Sequence, residues 1–427
     1  MCNIDFNEVY FKYEAALKLL QTKFEIISNE LNKGNDYNCI EYIKSRIKTK
    51  ESICNKLKKH NYELNDENIK NIHDIAGIRI ICSFLNDIDK IEQLIIEDED
   101  IIIKRRKDYI SNPKKSGYSS LHLNVEVPVK LLDKTEYVEV EIQIRTIAMD
   151  MWASLEHKLF YKNNSIISEL TEESIKNFSI IIKKIDIIMK DQITESNKYN
   201  IEEQNELKYL KETSVIEQVP MLKYELARKI IKEKIENINY ELSITNGISP
   251  IEHIKTRIKE PNNIVKKLKK LNYDITIDNM KNHIHDLVGI RIVCSFLSDL
   301  EEIKSILEKD DTIEIIKRKN YIENPKENGY RSYHLNALVP VKMINSVEKV
   351  EVEIQIRTIA MDMWATLEHK ICYRRAGNIP ESTKKRLRLI SNIVSEIDKT
   401  IDSSINDNKE IDNKVVKKLE LIPKKNM

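Results

Sequence analysis

The strongest constraint on this chain is a long segment that occurs twice. Residues 138–153 recur without a single change as residues 350–365, an offset of 212 positions. Upstream, residues 73–80 return at the same offset as residues 285–292 with only two apolar exchanges. Repeats of about 20 to 50 residues indicate solenoids, whereas a period this long indicates that a whole domain is duplicated. The sequence therefore predicts two copies of one domain in tandem.

The domain boundaries follow from the repeat and from a change of composition. A polar stretch over residues 194–215 separates the copies. It contains no proline or glycine, which favours a helical or closely docked connection over a loose tether. The boundaries that we predict are 1–200 for the first domain, 213–410 for the second and 411–427 for a basic tail.

Composition excludes several classes of protein. Seventy basic and 69 acidic side chains leave a formal net charge of +1, so no global field attracts nucleic acid or an anionic membrane. The first residues have neither the basic nor the apolar region of a secretory leader, so we expect none, and the apolar runs are too short to span a bilayer. The six cysteines are scattered without a CxxC pair, which favours reduced thiols over disulfides or a zinc site. We expect a cytoplasmic protein.

Apolar periodicity within the first copy predicts a mixture of helices and strands. Helices are expected over residues 8–31, 40–59, 91–96 and 148–159, with two more around 167–192. Strands are expected over residues 78–84, 121–127 and 138–145. The predicted fold class is α+β, with one mixed sheet flanked by helices in each copy.

The strand over residues 138–145 has two chemically different faces. Because strand side chains alternate, one face is apolar throughout and the other is polar. The polar face carries two carboxylates, an amide and a guanidinium, from Glu139, Glu141, Gln143 and Arg145. It is either the solvated face of an edge strand or part of a site, and its identity in both copies favours a site.

Asp74 lies just before a predicted strand. With a second carboxylate from a neighbouring strand it could hold Mg²⁺, which binds oxygen ligands together with substrate phosphates. The alternatives are a helix cap and a salt bridge to Arg79.

Two further segments have the chemistry of a nucleotide site. Lys48, Ser52 and Lys56 follow a helical spacing that would form one stripe beside Arg46, suited to a triphosphate or simply to solvent. The loop over residues 107–122 places lysines and Tyr118 next to a glycine. Tyr118 could stack on a base, or it could cover the core at the start of a strand.

Together these motifs resemble the synthetase domain of RelA/SpoT-type proteins, and most closely the small alarmone synthetases. The resemblance covers nearly the whole chain, once per copy, and implies a nucleotidyltransferase-like fold. It rests on Arg46-x-Lys48-x3-Ser52-x3-Lys56, residues 73–79, residues 107–114, Gly117-Tyr118-x-Ser120-x-His122 and residues 141–146.

The resemblance implies that pyrophosphate is transferred from ATP to the 3′-hydroxyl of GDP or GTP, with Mg²⁺ as the cofactor. Such a reaction depends mainly on positioning and charge. About 45 residues precede the first motif, so we expect synthesis without hydrolysis.

By resemblance, each motif has a role in the first copy. Arg46 and Arg79 enclose the adenine ring, while Lys48, Ser52 and Lys56 hold the ATP phosphates. Asp74 and Glu141 are catalytic metal ligands, and Glu141 is also the base that activates the 3′-hydroxyl. The acceptor side consists of Lys114, Tyr118, His122 and Gln143.

The second copy repeats most of these residues. The ATP-binding set is Arg257, Lys259, Lys267 and Arg291; the catalytic and metal-binding set is Asp286 and Glu353; and the acceptor set is Lys326, Tyr330, His334 and Gln355.

The copies differ at three motif positions. The arginine that usually follows the loop tyrosine is kept as Arg331 but is Ser119 in the first copy. The second copy has Asn263 in place of Ser52, and Asn320 in place of the loop aspartate. Since both copies keep both carboxylates, we expect two competent sites that differ in rate or acceptor preference.

Other readings stay open. The acceptor could be an adenine nucleotide or the 3′ end of tRNA, or one or both copies could only sense nucleotides. An RNA-binding role is a further alternative, although no basic stripe requires it. A tandem chain could form an internal pseudo-dimer, as a monomer or as a homodimer of the fusion.

Overall fold

The computed structural model describes residues 4–33, 38–162, 169–196, 216, 221–374 and 379–407. The chain divides into two compact units, and each contains one five-stranded sheet. The predicted fold class, with a mixed sheet flanked by helices in each copy, is confirmed.

The first copy of the repeat forms its elements in the following order: α1 (Phe6–Lys33), β1 (Ile40–Ile47), α2 (Lys50–Lys59), α3 (Asp66–Ile69), β2 (Ala76–Cys82), α4 (Leu85–Ile96), β3 (Ile102–Asp108), β4 (Leu121–Lys130), β5 (Thr135–Thr146), α5 (Ile147–Lys162) and α6 (Glu169–Ser196).

The second copy follows the same order: α7 (Leu222–Asn246), β6 (Ile251–Ile258), α8 (Pro261–Lys270), α9 (Ile277–His283), β7 (Val288–Cys294), α10 (Leu297–Glu308), β8 (Glu314–Asn320), β9 (Tyr333–Lys342), β10 (Val347–Thr358), α11 (Ile359–Arg374) and α12 (Glu381–Asp407).

Each sheet has one parallel pair among antiparallel neighbours. The strand order is β1-β2-β5-β4-β3 in the first unit and β6-β7-β10-β9-β8 in the second. Strands β2 and β5 run parallel, while β1, β4 and β3 pair antiparallel with their neighbours. Because β5 occupies the centre of its sheet, its polar face is not the solvated face of an edge strand, and that alternative is wrong.

The apolar face of the first sheet packs against α1 and α4. Val138, Val140, Ile142 and Ile144 are buried together with Leu20 and Phe24 of α1 and Ile91 of α4. A smaller cluster of Ile53, Leu57, Ile69, Ile72 and Ile75 fixes α2 and α3 beside the start of β2. The opposite, polar face of the sheet therefore has a rigid support.

The predicted helix over residues 40–59 is wrong in its first half. Residues Ile40–Ile47 form β1, and α2 begins only at Lys50, where the side chain of Thr49 accepts a hydrogen bond from the Ser52 N–H at 3.3 Å. The three isoleucines of β1 are spaced i, i+3 and i+7, which imitates a helix. A register irregularity between Ile40 and Tyr42 lets a strand accommodate this spacing.

Other differences concern elements with weak sequence signals. A single helix, α6, spans Glu169–Ser196 where two were expected around 167–192, of which residues 167 and 168 lie outside the described part. Strand β3 was not predicted, because its Lys-Arg-Arg-Lys run looks like a loop and suits an exposed edge strand.

Some predictions fall outside the described residues. The seam over 194–215 is described only to Ser196, and the tail over 411–427 is not described. The predicted domain boundaries therefore stay predictions. Within the described residues no disulfide bond joins the cysteines Cys39, Cys54, Cys82, Cys294 and Cys372. Within the described ranges, no helix has the length and apolarity that crossing a bilayer requires.

Candidate active site

Asp74 is held between two lysines at the entrance to β2. Its Oδ2 accepts a hydrogen bond from Lys48 Nζ and its Oδ1 accepts one from Lys56 Nζ, both at 2.7 Å. The Lys48 N–H also donates to the Ile75 carbonyl at 2.8 Å, which fixes the end of β1 beside Asp74. The salt bridge from Asp74 to Arg79, considered from the sequence, is not the contact that forms.

The predicted helical stripe is therefore corrected. Lys48 precedes α2, so only Ser52 and Lys56 lie on that helix. Lys48 and Lys56 nevertheless converge, because both contact Asp74. Ser52 is exposed, and its Oγ accepts a hydrogen bond from Thr49 Oγ1 at 2.9 Å, so the structure does not bring it to the same point.

The second unit repeats this arrangement. Asp286 accepts hydrogen bonds from Lys259 at 2.5 Å and Lys267 at 2.8 Å. In both units burial raises the pKa of the aspartate, but the hydrogen bonds and charges of the two lysines outweigh burial and lower the pKa. Each aspartate is therefore a carboxylate at neutral pH.

Glu141 lies on the central strand, opposite Gly77 of β2 and Asn124 of β4. Its Oε1 is 3.1 Å from His122 Nδ1, and its Oε2 accepts a hydrogen bond from Gln143 Nε2 at 2.7 Å. Burial raises the pKa of Glu141, and the His122 contact outweighs burial and lowers it, while the charge of Asp74 acts to raise it. The two carboxylates are therefore within electrostatic reach of each other.

A chain of hydrogen bonds runs from Arg145 to Glu141. Arg145 donates to the Tyr118 hydroxyl, whose oxygen is 2.8 Å from His122 Nε2. An arginine can only donate, so the Tyr118 oxygen accepts from Arg145 and the hydroxyl lies between Arg145 and His122 Nε2. The other ring nitrogen of His122, Nδ1, faces Glu141.

The same chain exists in the second unit. Arg357 donates to the Tyr330 hydroxyl at 2.6 Å, the Tyr330 oxygen is 2.9 Å from His334 Nε2, and His334 Nδ1 lies 3.4 Å from Glu353. Gln355 donates to Glu353 at 2.8 Å. Burial lowers the pKa of His334 and so favours its neutral form.

Sequence reasoning missed the buried aspartate that anchors this face. Arg79 and Arg145 both donate to Oδ1 of Asp150, at 3.1 and 3.2 Å, and the Tyr42 hydroxyl donates to Oδ2 at 2.7 Å. Burial raises the pKa of Asp150, but the two guanidinium groups outweigh it and hold that pKa below its ordinary value. Its membership of the invariant segment 138–153 was the available signal.

Asp362 has the same role in the second unit. It forms an ion pair with Arg291 at 3.1 Å and accepts a hydrogen bond from Arg357 at 2.9 Å, and His253 Nε2 lies 3.6 Å away where the first unit has Tyr42. Burial raises the pKa of Asp362, and the charges of the arginines together with His253 outweigh it and place that pKa far below its ordinary value.

Arg46 and Arg79 meet at a common pocket. A cavity of about 140 Å³ is lined by both arginines, by Gly77 and by Gln143. Arg46 lies across the β1–β2 pair from Gly77, where a Cβ would come within 3.8 Å of the Arg46 side chain. Within the described residues, Arg79 Nε is buried without a hydrogen-bond partner, as is Arg291 Nε in the second unit.

The acceptor loop contains a cluster of aromatic rings under a lysine. Tyr109, Tyr118 and His122 contact one another edge to face, with ring centroids 5.2 to 6.1 Å apart. Lys114 Nζ lies 4.6 Å from the Tyr118 centroid and 4.9 Å from that of Tyr109.

The second unit has an equivalent cluster of Tyr321, Tyr330, His334 and Lys326. In both units the tyrosine is thus part of the polar network, so it does more than cover the core.

Comparison with known proteins identifies this arrangement. The family model described as the region found in RelA/SpoT proteins matches the chain twice, over residues 45–166 and 256–378. GTP pyrophosphokinase YwaC of Bacillus subtilis is 52% identical over 171 residues, which is 40% of this chain and 81% of that protein. GTP pyrophosphokinase YjbM of the same organism is 36% identical over 179 residues, 42% of this chain and 83% of that protein.

A solved structure is similar to one copy. The crystal structure of small alarmone synthetase 2 from Bacillus subtilis has 46% sequence identity, covers 45% of this chain and 99% of its own, and has a TM-score of 0.41. The two family-model matches and the relatives define the class, and the chain belongs to the RelA/SpoT family, with the matched region present twice. The resemblance noted from the sequence is confirmed.

Proposed function

We propose that each unit transfers a pyrophosphoryl group from ATP to the 3′-hydroxyl of GDP or GTP and so makes (p)ppGpp. The names of the relatives, both GTP pyrophosphokinases, support this activity. The observation that carries the proposal for both units is the pair of ionised carboxylates, Asp74 with Glu141 and Asp286 with Glu353, each beside two lysines. Positive charge and carboxylates at one point suit a polyphosphate with its metal ion.

On the donor side, we assign the pocket between Arg46 and Arg79 to the adenine ring. A planar guanidinium on each side suits an aromatic base, which can stack between the two. Lys48 and Lys56 are the nearest cations for the triphosphate. In the free enzyme both are engaged by Asp74, so substrate binding exchanges an aspartate partner for phosphate oxygens.

The carboxylates also fit Mg²⁺. Among the described residues, no group of three or more histidine, cysteine, aspartate or glutamate side chains could hold a metal on its own. Mg²⁺ commonly binds through one or two carboxylates together with waters and substrate phosphates, so Asp74 and Glu141 are a sufficient protein contribution. When bound there, Mg²⁺ would neutralise charge that develops on the transferred phosphates.

On the acceptor side, Tyr118 and Lys114 receive the guanine nucleotide, with His122 and Gln143 holding Glu141 in place. The 3′-oxygen attacks the β-phosphorus of ATP, the bond from that phosphorus to the α–β bridging oxygen breaks, and AMP leaves. Glu141 faces this hydroxyl as the acceptor of its proton. Since the pKa of Glu141 is lowered, the carboxylate is a weak base, and positioning and charge supply most of the catalysis.

The experiment follows both parts of the donor. ATP labelled at the α-phosphate should yield labelled AMP, and ATP labelled at the γ-phosphate should yield a labelled guanosine product, in equal amounts. Labelled ADP instead of AMP would show phosphoryl transfer and overturn the proposal. Parallel reactions with an adenine nucleotide or tRNA as acceptor test the alternative substrates, and nucleotide binding without any product would favour a sensor.

The assembly and location of the enzyme are further parts of this proposal. The tandem chain supplies two synthetase units, so we propose an internal pseudo-dimer that is complete as a monomer or as a homodimer of the chain. Light scattering on the purified chain tests this. We expect the mass of one or two chains, and a mass of four chains would contradict the proposal. The substrates ATP and GTP support a cytoplasmic location, which fractionation of cells would test.

A further inference from the structure

The acceptor loop of each unit touches the last helix of its unit through a glycine. Gly117 and Gly329 have φ angles of +88° and +95°, and each closes a turn by donating its N–H to the carbonyl of the loop lysine at 2.8 Å. A side chain at Gly329 would place its Cβ 2.7 Å from the Cβ of Ser391 on α12, and one at Gly117 would collide with Ser179 on α6. The loop and helix are therefore in direct contact.

In the second unit an arginine ties this loop to the helix. Arg331 donates to Ser391 Oγ at 2.5 Å and to the Ser391 carbonyl at 3.3 Å, and its other terminal nitrogen donates to Asn392 Oδ1 at 3.2 Å. It also donates to the Gly329 carbonyl at 3.2 Å, which in turn accepts from Ser391 Oγ at 2.5 Å. The Arg331 side chain thus joins the acceptor loop to α12.

In the first unit the same position is Ser119, which is too short to reach the helix. A cavity of about 230 Å³ lies between the loop and α6, and its lining includes Ser119, Gly117, Ser179 and Ile180. The last three are equivalent to the residues that Arg331 contacts, and Ile180 replaces the Asn392 acceptor. The first unit therefore lacks both the arginine donor and the asparagine acceptor of this contact.

Three polar side-chain atoms around this cavity have no hydrogen-bond partner within the described part of the chain. Among the described residues, Ser119 Oγ, Trp152 Nε1 and Asp186 Oδ1 are buried without a hydrogen bond, and all three residues line the cavity. In the second unit Trp364 Nε1 donates to the Leu387 carbonyl at 2.9 Å. The first unit therefore lacks the side-chain hydrogen bonds by which Arg331 joins the loop to the last helix in the second unit.

We propose that Arg331 is a positioning residue for the acceptor nucleotide, and that the acceptor loop of the first unit, with Ser119 at this position, lacks the corresponding contact with α6. The proposal rests on the function proposed above. Arg331 orders the loop that carries Lys326 and Tyr330 before the acceptor arrives, so less conformational entropy is lost on binding. The second unit then binds GDP or GTP more tightly than the first, although the carboxylates, histidine and glutamine of the two sites are the same.

The test uses full-length chains in which only one unit is active. Glu141→Gln isolates the second unit and Glu353→Gln isolates the first. In the second unit, Arg331→Ser should raise the KM for GDP about tenfold while kcat and the KM for ATP change less than twofold. In the first unit, Ser119→Arg together with Ile180→Asn should lower the KM for GDP severalfold. Lys385→Ser, which removes an exposed cation from the same helix, is the matched control and should change neither constant.

Loop order is measured independently of activity. Trypsin should cleave after Lys326 faster in Arg331→Ser than in the parent, whereas Arg331→Lys, which keeps one donor, should be intermediate. Unchanged cleavage with an unchanged KM for GDP would overturn the proposal. A fall in kcat together with equal rises in the KM values for GDP and ATP would also overturn it, because that pattern indicates a general structural role. If no variant made product but cleavage changed as expected, the proposed function would be wrong, while the claim that Arg331 orders the loop would still hold.

Discussion

Replacing Asp150 by asparagine removes the negative charge shared by two arginines in the first unit. Arg145 and Asp150 have side chains only 3% and 5% exposed, while Arg79 is 25% exposed and partly screened by water. Removing one partner of a buried ion pair costs about 3 to 5 kcal/mol, because the other charge stays buried without compensation. Since part of the Arg79 charge is screened, we expect Asp150→Asn to lower the free energy of unfolding of this unit by about 3 kcal/mol.

The two tryptophans allow each unit to be followed separately. The chain has one in each copy, Trp152 and Trp364, so Trp364→Phe leaves a fluorescence signal from the first unit alone. With a urea m-value of about 2 kcal/mol/M, a loss of 3 kcal/mol moves the unfolding midpoint down by about 1.5 M.

The control for this measurement is Asp89→Asn, which neutralises an exposed carboxylate on α4 and should leave the midpoint within about 0.3 M. A midpoint shift for Asp150→Asn no larger than that of the control would refute the claim that Asp150 stabilises the site.

Three further predictions concern the donor site, the last helix and the metal. Lys56→Met in the chain with only the first unit active should raise the KM for ATP about tenfold, because a charged contact is lost, while an unchanged KM for ATP with a raised KM for GDP would contradict the assignment. Burial raises the pKa of Asp186 to about 7, although the hydrogen bond from Thr146 acts to lower it. The folded state therefore keeps a proton on Asp186 that the unfolded chain releases near pH 4. The free energy of unfolding should therefore fall as pH rises from about 4 to 7, and Asp186→Asn should flatten this dependence in urea titrations at pH 5 and pH 8; parallel curves for the two proteins would contradict it. Chelation of Mg²⁺ should abolish product formation while leaving the urea midpoint within about 0.3 M, and full activity in EDTA would exclude a metal role for Asp74 and Glu141.

The central strand could be predicted because its alternation is regular. Four apolar residues face the core and four polar residues face the site, as the spacing of residues 138–145 required. The same regularity could not show that Arg145 and Arg79 share Asp150, since Asp150 lies on the following helix and meets them only in the folded unit. Its functional relevance was carried only by the invariance of the repeated segment.

The donor site was harder to predict because its strand imitates a helix. The spacing of Ile40, Ile43 and Ile47 suggested one continuous helix, and a stripe that included Lys48 followed from that error. The lysines converge on Asp74 for a different reason, namely that β1 pairs with β2 and α2 turns back beside it. Tertiary pairing of an irregular edge strand is not encoded in a local period.

The most direct test of the account counts active sites in the whole chain. Product formed from γ-labelled ATP and GDP is measured for Glu141→Gln, for Glu353→Gln and for the double variant. Glu99→Gln, which removes an exposed carboxylate in the turn before β3, away from the site, is the matched control. The account predicts that each single variant keeps a substantial part of the activity, that the control keeps all of it and that the double variant falls at least 100-fold. Complete loss in either single variant would contradict the claim that both copies are competent synthetases.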